Sequence, residues 1–281
     1  MKAKALILSA ALLLAAVFTG CGSDNNRKGS EPRTESTAST ASEKVSEASA
    51  AESSQTSEES KTSEEGSKTE GTPVEASWFD DAVFIGDSVT LKLSYYCEDH
   101  DDLGKAEFLC AGSLGYTNAL WELDREDNVH PTYNGEKITV DEGAKLLGSK
   151  KILIMLGMND IGLYGIDGAT SSMIELTDKI ADKCPDAKIY IQSVTPMVEG
   201  NSLGDLNNEN IYKFDEKLKE VCAEKGYKYL DVASAVSDEN GNLIYEYCGD
   251  PPSDDNPDAM GLHFTNEGCQ KWAEYLRNNV E

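Results

Sequence analysis

The sequence predicts a three-layer α/β/α domain around a central, mostly parallel five-stranded sheet. Short apolar runs alternate with longer amphipathic runs from about residue 76 to the C-terminus, which is typical of strands and helices that follow each other around a parallel sheet. The apolar runs that begin at Lys151 and Lys188 are nearly continuous, as expected for central strands that helices cover on both faces. About 200 residues suffice to bury such a core.

The predicted strands are five short apolar segments: Ala82 to Ile85, Glu107 to Cys110, Lys151 to Leu156, Lys188 to Val194, and Tyr227 to Val232. Elsewhere, apolar residues recur at spacings of three or four, which predicts amphipathic helices. These residues are Met173, Leu176 and Ile180, then Ile211, Phe214, Leu218 and Val221, then Cys269, Trp272 and Leu276. The polar segment from Trp121 to Gly143 contains His-Pro and Asn-Gly turn signals, and is predicted to be an insertion or a long loop.

Residues 1–21 are predicted to be a targeting segment. Lys2 and Lys4 give it a positive start, and the apolar run from Ala5 to Phe18 is too short to span a bilayer. The Phe-Thr-Gly-Cys at its end resembles the lipobox of bacterial lipoproteins, which implies a lipid on Cys21. We therefore expect an exported chain, anchored to the outer face of the bacterial cell membrane, with an ordinary signal peptide as the alternative.

Residues 22–75 are predicted to be a disordered linker, and residues 76–281 the single folded domain. The linker consists almost wholly of Ser, Thr, Glu, Ala, Lys and Gly, so it cannot bury a core. As a flexible coil it would hold the domain about 40 Å from its anchor on average.

The charge and the cysteine content of the domain restrict its partners and its chemistry. It carries 39 acidic and 17 basic residues, a formal net charge of −22, so nucleic acid is not expected as a partner. Six cysteines follow Cys21, an even number that is compatible with disulfides. Several lie in apolar patterns where a buried free thiol would serve equally well, so the pairing stays open.

Candidate functional residues lie just after the predicted strands, because ligands bind outside the carboxyl ends of parallel strands. Ser88, in Gly-Asp-Ser, follows the first predicted strand and leads into a helix, a position that suits a nucleophile but also a helix cap. Gly112 follows the second strand and is either a plain turn glycine or a place where the backbone amide meets a ligand. Asn159 follows the third, as an amide donor or a helix cap.

His263 is the candidate general base. The sequence has three histidines, and His100 and His130 both lie in polar stretches that are predicted to be loops. His263 directly precedes the final amphipathic helix.

Four elements of the chain resemble, in their order, the four blocks of the SGNH (GDSL-type) hydrolase family. They are Ser88, Gly112, the Gly-x-Asn-Asp that contains Asn159, and His263. The resemblance covers residues 76–281 and implies a flavodoxin-like fold. It implies that Ser88 attacks an ester carbonyl while His263 takes its proton. It also implies an oxyanion hole formed by the amides of Ser88 and Gly112 and the side chain of Asn159. No cofactor is implied.

One position departs from the family pattern. The family places an aspartate three residues before the histidine, where this chain has Met260. Asp258 is the first candidate to replace it, followed by Asp255 and Asp254, and a backbone carbonyl would leave a Ser-His dyad. The acidic loop from Asp254 begins like a calcium-binding EF-hand loop, but Ala259 and Thr265 occupy its glycine and glutamate positions, so no metal site is predicted.

These observations predict an extracytoplasmic esterase that removes acyl groups, with acetyl as the expected group, from carbohydrate or another cell-envelope polymer. Two other hypotheses use the same site. One is acyl transfer to a sugar hydroxyl, and the other is a lipid-anchored binding module that lost catalysis along with the aspartate. The oligomeric state is left open by the sequence.

Overall fold

The computed structural model describes residues 72–281. The predicted leader with Cys21, and the predicted linker as far as residue 71, lie outside the described residues. Val74 is already part of the folded unit, because its amide donates to the carbonyl of Arg277 at 2.8 Å and its own carbonyl accepts from Arg277 Nε at 3.0 Å. The start of the described chain is thus attached to the final helix.

The centre of the domain is a five-stranded sheet in which every neighbouring pair is parallel. Its strands are β1 (Ala82–Gly86), β2 (Glu107–Cys110), β5 (Lys151–Met155), β6 (Lys188–Gln192) and β7 (Lys228–Leu230). Their order across the sheet is β2-β1-β5-β6-β7. The order therefore reverses direction between β1 and β5, and this is the topological switch point at which parallel sheets bind ligands.

Helices cover both faces of the sheet and complete the three layers. They are α1 (Ser88–Cys97), α2 (Val140–Leu147), α3 (Met158–Lys183), α4 (Asn208–Lys225), the short α5 (Ala233–Val236) and α6 (Asn266–Asn279). Helix α6 packs with α1 and α5 in one layer, whereas α3 packs with α2 and α4 in the other. No helix within residues 72–281 combines the length and the apolar character needed to cross a bilayer.

The central strands are buried on both faces, as their composition predicts. All five residues of β1 are buried, and so are Ile152, Leu153 and Ile154 of β5. Trp272 of α6 is fully buried and donates its indole N–H to Gln192 Oε1 at 2.8 Å, which ties the helix to β6. All six cysteines of the described chain are free thiols.

The predicted α/β/α fold is confirmed, with differences at the edges of elements. Strands β6 and β7 end before their apolar runs do. The runs are longer because residues such as Val194 and Val232, which lie beyond the strand ends, are also buried. The segment predicted as an insertion contains the two-stranded hairpin β3 (Thr132–Tyr133) and β4 (Glu136–Lys137), whose turn places Asn134 and Gly135 at positive φ. It also contains the start of α2, where the sequence predicts a loop.

A buried carboxyl group, Asp215 of α4, lies beneath the end of β6. Its Oδ1 accepts a hydrogen bond from the amide of Val194 at 2.8 Å, while its Oδ2 has no partner among the described residues. Burial raises the pKa of Asp215 from 3.8 to about 8, against the opposing effect of that hydrogen bond. The folded protein thus binds a proton at Asp215 that the unfolded chain has released at neutral pH.

This proton makes stability depend on pH in a definite direction. Because the folded-state pKa is raised above the unfolded value, the free energy of unfolding should fall as pH rises from about 4 to about 8. Asp215→Asn keeps the acceptor for Val194 and removes the titration. Between pH 5 and pH 9, urea unfolding should show the wild type losing about 2–4 kcal/mol relative to this variant. Equal pH slopes for the two proteins would contradict the assignment, and Asp186→Asn on the exposed surface is the control.

Candidate active site

Four chain segments meet at the carboxyl edge of the sheet, beside the switch point. Ser88 follows β1, Gly112 follows β2, and Asn159 lies in the first turn of α3 after β5. His263 reaches the same place from the loop before α6, with its Nε2 at 2.9 Å from Ser88 Oγ. The structure therefore brings the predicted serine and histidine into direct contact, although they are 175 residues apart in the chain.

Ser88 is the first residue of α1, and Asp87 caps that helix. The Asp87 side chain accepts from the amide of Val89 at 2.9 Å, so the capping role that Ser88 could have filled belongs to its neighbour. Gly86 makes the turn possible, because a Cβ there would lie 1.9 Å from Thr90 Oγ1 and 2.9 Å from the carbonyl oxygen of Met155. The Ser88 hydroxyl is left half-buried and available to His263.

Asp87 adds a buried negative charge next to the serine. Burial raises its pKa from 3.8 to about 6, and the hydrogen bond from Val89 and the nearby His263 oppose this increase. The carboxyl group is therefore largely ionised at neutral pH, in a place where a positive charge on His263 would be stabilised.

The other ring nitrogen of His263 faces Asp250. His263 Nδ1 lies 2.7 Å from Asp250 Oδ2, while Asp250 Oδ1 accepts from the backbone amides of Leu262 at 3.0 Å and His263 at 2.9 Å. Burial alone would raise the pKa of Asp250, but the hydrogen bonds from His263 and Leu262 outweigh it and hold this pKa below its usual value. An ionised carboxylate can only accept, so Nδ1 carries the proton and Nε2 is free to accept from Ser88.

Asp250 replaces Asp258 as the carboxylate that orients His263, which corrects the expectation from the sequence. Residues 249–250 and 261–263 run side by side, since the amide of Gly249 donates to the carbonyl of His263 at 2.6 Å and that of Gly261 donates to the carbonyl of Asp250 at 3.0 Å. Residues 251–260 form an excursion closed at its base by this pairing, and Asp258 is exposed on it, as are Asp254 and Asp255. The one sequence signal for this arrangement is the Pro251-Pro252 pair, which marks where the excursion begins.

Backbone amides and one side-chain amide surround the Ser88 hydroxyl. The amide of Ser88, in the first turn of α1, has no acceptor within its own helix. The amide of Gly112 donates to no acceptor among residues 72–281, and a Cβ at Gly112 would meet no atom within 4 Å. Asn159 Nδ2 donates to the carbonyl of Leu114 at 3.0 Å and, over a longer distance of 3.5 Å, to Oδ2 of Asp87, the residue before Ser88. The two backbone amides can stabilise an oxyanion that forms in the open space beside Gly112, and Asn159 can join them by giving up its long hydrogen bond to Asp87.

Asp160, directly after Asn159, links the start of α3 to the loop after β2 through two hydrogen bonds. Its Oδ2 accepts from the amide of Tyr116 and its Oδ1 from the amide of Thr117, both at 2.8 Å. Burial raises the pKa of Asp160, and these hydrogen bonds oppose the increase. The same loop contains Gly112, so one buried carboxyl group joins two of the segments that carry candidate oxyanion donors.

Removal of this carboxyl group should destabilise the domain. Asp160→Ala leaves the buried amides of Tyr116 and Thr117 without acceptors, which we expect to lower the free energy of unfolding by about 2–4 kcal/mol. Urea unfolding monitored by circular dichroism measures the change. Asp182→Ala, at an exposed position of the same helix, should leave the unfolding free energy nearly unaltered. An equally small effect of Asp160→Ala would show that water replaces the carboxyl group there.

Known proteins are similar to this chain in sequence and in fold. A multidomain esterase from Ruminococcus flavefaciens is 21% identical over 236 residues, which cover 70% of this chain but only 28% of that protein. A proposed platelet activating factor from Streptococcus pneumonia has a TM-score of 0.52 at 20% identity, over 70% of this chain and 81% of that one. A proposed acylhydrolase from Bacteroides fragilis has a TM-score of 0.51 at 16% identity, over 69% and 83%. These structural similarities concern the fold.

A match between this sequence and a known protein family shows the family of the chain. The GDSL-like lipase/acylhydrolase family matches residues 84–271, a range that begins inside β1 before Ser88 and ends inside α6 after His263. This range is more than half of the chain and includes every residue of the site described above. The chain therefore belongs to the GDSL-like lipase/acylhydrolase family.

Proposed function

We propose that the protein is a serine esterase in which Ser88, His263 and Asp250 form the catalytic triad. The observation that carries the proposal is the unbroken chain of contacts from Ser88 Oγ to His263 Nε2, at 2.9 Å, and from His263 Nδ1 to Asp250 Oδ2, at 2.7 Å. Asp250 also supplies the carboxylate whose absence at Met260 had suggested a binding module without catalysis. Membership of an acylhydrolase family and the similarity to a protein described as an esterase support the same reaction.

In the proposed mechanism, Ser88 Oγ attacks the ester carbonyl while His263 Nε2 takes the hydroxyl proton. The amides of Ser88 and Gly112 and the side-chain amide of Asn159 stabilise the oxyanion, each donor contributing about 10²- to 10³-fold to turnover. Collapse of this intermediate returns the proton to the departing alcohol and leaves an acyl group on Ser88. Water, deprotonated by His263, then releases the acid and restores the serine. Asp250 keeps the imidazole in the required tautomer throughout.

As substrate we propose an acyl ester, with acetyl as the acyl group, on a carbohydrate polymer. The site opens directly to solvent, because the space beside Gly112 is free and the His263 side chain is 30% exposed. An ester group that projects from a large molecule can reach such a site without the whole molecule entering a cavity. The net negative charge of the domain favours substrates that are not polyanions.

Hydrolysis of p-nitrophenyl acetate tests the mechanism with a matched pair of aspartate variants. Ser88→Ala should abolish turnover, and Asp250→Asn should lower kcat by about 10²- to 10⁴-fold, because its amide N–H₂ facing Nδ1 favours the wrong tautomer. Asp258→Asn, within the same loop, should have the activity of the wild type. A fluorophosphonate probe should label Ser88 in the wild type, as mapped by mass spectrometry.

Substantial hydrolysis by Ser88→Ala would disprove the nucleophile. Equal losses in Asp250→Asn and Asp258→Asn would disprove the assignment of the carboxylate.

We further propose that the enzyme is exported and anchored to the outer face of the cell membrane through a lipid on Cys21. The lipobox-like Phe-Thr-Gly-Cys and the polar linker that follows support this location. In cells that express the full chain, Cys21→Ser should move the protein from the membrane fraction to the medium or the soluble fraction. If the two proteins fractionate identically, the anchor does not exist and the leader is an ordinary signal peptide.

A further inference from the structure

The loop that carries Gly112 begins with a tight turn over residues 111–114. The amide of Leu114 donates to the carbonyl of Ala111 at 3.2 Å, which closes the turn. Ser113 has φ 61°, whereas Gly112 is not among the residues with positive φ. A closed turn with positive φ only at its third residue is of type II, and this third position normally requires glycine or asparagine.

Ser113 thus has a backbone conformation that its side chain disfavours. Among residues 72–281, only Ser113 and Asn134 combine a side chain with positive φ. Asn134 lies in the hairpin turn between β3 and β4, where asparagine is common, but serine has no such preference. A serine at the third position favours a type I turn, in which the peptide between Gly112 and Ser113 is rotated by about half a turn. Contacts from outside the turn must therefore stabilise type II.

Asn118 makes such contacts from the far end of the same loop. Its Nδ2 donates to the carbonyl of Ser113 at 2.8 Å, and its Oδ1 accepts from the amide of Gly115 at 2.7 Å. The next carbonyl, that of Leu114, accepts from Asn159 at 3.0 Å. Two side-chain amides therefore bind consecutive carbonyls, beginning with that of the residue with positive φ.

The position of Asn118 is itself fixed by its neighbours. The amide of Thr117 donates to the buried carboxyl group of Asp160 at 2.8 Å, and the amide of Ala119 donates to the carbonyl of Gly115 at 3.1 Å. The Asn118 side chain therefore connects the turn to a part of the loop that the core holds in place.

The type of this turn affects the field in which an oxyanion would form. The amides of Gly112 and Ser113 donate to no acceptor in the described part of the chain, and both residues are exposed. Rotation of the peptide between them to the type I arrangement would reverse its dipole directly beside the Gly112 amide. Electrostatic stabilisation of a transition state depends on donors and dipoles whose orientation is fixed in advance.

We propose that Asn118 is a positioning residue of the oxyanion hole. By binding the Ser113 carbonyl it keeps Ser113 at positive φ and the turn in type II, and so it maintains the orientation of the Gly112 amide and of the adjoining peptide. The proposal rests on the esterase function above, and Asn118 acts in it without touching the substrate. Because the oxyanion exists only after attack on the carbonyl, loss of Asn118 should lower kcat and leave KM nearly unchanged.

The first test measures hydrolysis of p-nitrophenyl acetate. Asn118→Ala should lower kcat about tenfold and change KM by no more than about twofold. A tenfold loss equals about 1.4 kcal/mol, which is the order of magnitude that a left-handed conformation costs a residue with a side chain. Asn128→Ala is the matched control, because the side-chain amide of Asn128 also donates to two backbone carbonyls of its own loop. It should keep the wild-type kcat.

Ser113→Gly distinguishes positioning of the turn from general support of the loop. Glycine adopts positive φ without steric cost, so the turn should then depend less on Asn118. In the Ser113→Gly background, Asn118→Ala should lower kcat by no more than about threefold. An equal tenfold loss in both backgrounds, a loss expressed in KM instead of kcat, or a wild-type kcat in Asn118→Ala would overturn the proposal.

Hydrogen exchange supplies a second measurement that does not need turnover. Asn118→Asp has nearly the same shape and keeps an acceptor for the Gly115 amide, but its carboxylate cannot donate to the Ser113 carbonyl. Mass spectrometry should show faster amide exchange in residues 111–115 of this variant, and the wild-type rate in Asn128→Ala. Unchanged exchange in Asn118→Asp would overturn the proposal. Failure of the wild type to hydrolyse p-nitrophenyl acetate would instead refute the esterase function, while the exchange rates still test the hold of Asn118 on the turn.

Discussion

The pairing of residues 249–250 with residues 261–263 is the constraint on which the site depends. It places Asp250 next to His263 although 13 positions separate them, and it lets one carboxylate accept from two backbone amides and from the imidazole. Since the same backbone contacts position both partners, the orientation of His263 does not depend on the rest of the loop. Residues 251–260 can therefore form a solvent-exposed excursion without disturbing the contact between His263 and Ser88.

A second constraint acts on the opposite side of Ser88. The loop after β2 and the first turn of α3 are joined twice, by the Asp160 carboxyl group and by the hydrogen bond from Asn159 to Leu114. Buried charge is costly, and burial raises the pKa of Asp160 accordingly. Because of these hydrogen bonds, the two segments with candidate oxyanion donors cannot move independently. Such preorganisation is what electrostatic stabilisation of a transition state requires.

The fold and most of the site follow from local sequence patterns, because parallel strands bring their carboxyl ends to one edge. Ser88, Gly112 and Asn159 each follow a predicted strand, and in the structure they lie at the same edge of the sheet. Asp250 could not be found in this way. Its position depends on antiparallel pairing across an excursion, a non-local contact for which nearness in sequence favoured Asp258. The break of α3 at Gly165, where φ is 67° and ψ is 177°, was likewise hidden, since the apolar periodicity of the helix continues beyond it.

The charges around His263 show how one fold can use two carboxylates differently. Asp250 is stabilised in its ionised form by donated hydrogen bonds, and its pKa is lowered. Asp87 is buried, and its pKa rises to about 6 even though His263 opposes the increase. Both negative charges favour the imidazolium that exists while the serine proton is in transit, but the charge on Asp87 also lies near the place where an oxyanion would form. Asn159 Nδ2 donates to Asp87 Oδ2 at 3.5 Å, which places a hydrogen-bond donor against this charge. The Gly-Asp-Ser and Gly-x-Asn-Asp segments are thus linked electrostatically, because the carboxylate that caps α1 accepts a hydrogen bond from the side-chain amide that α3 supplies.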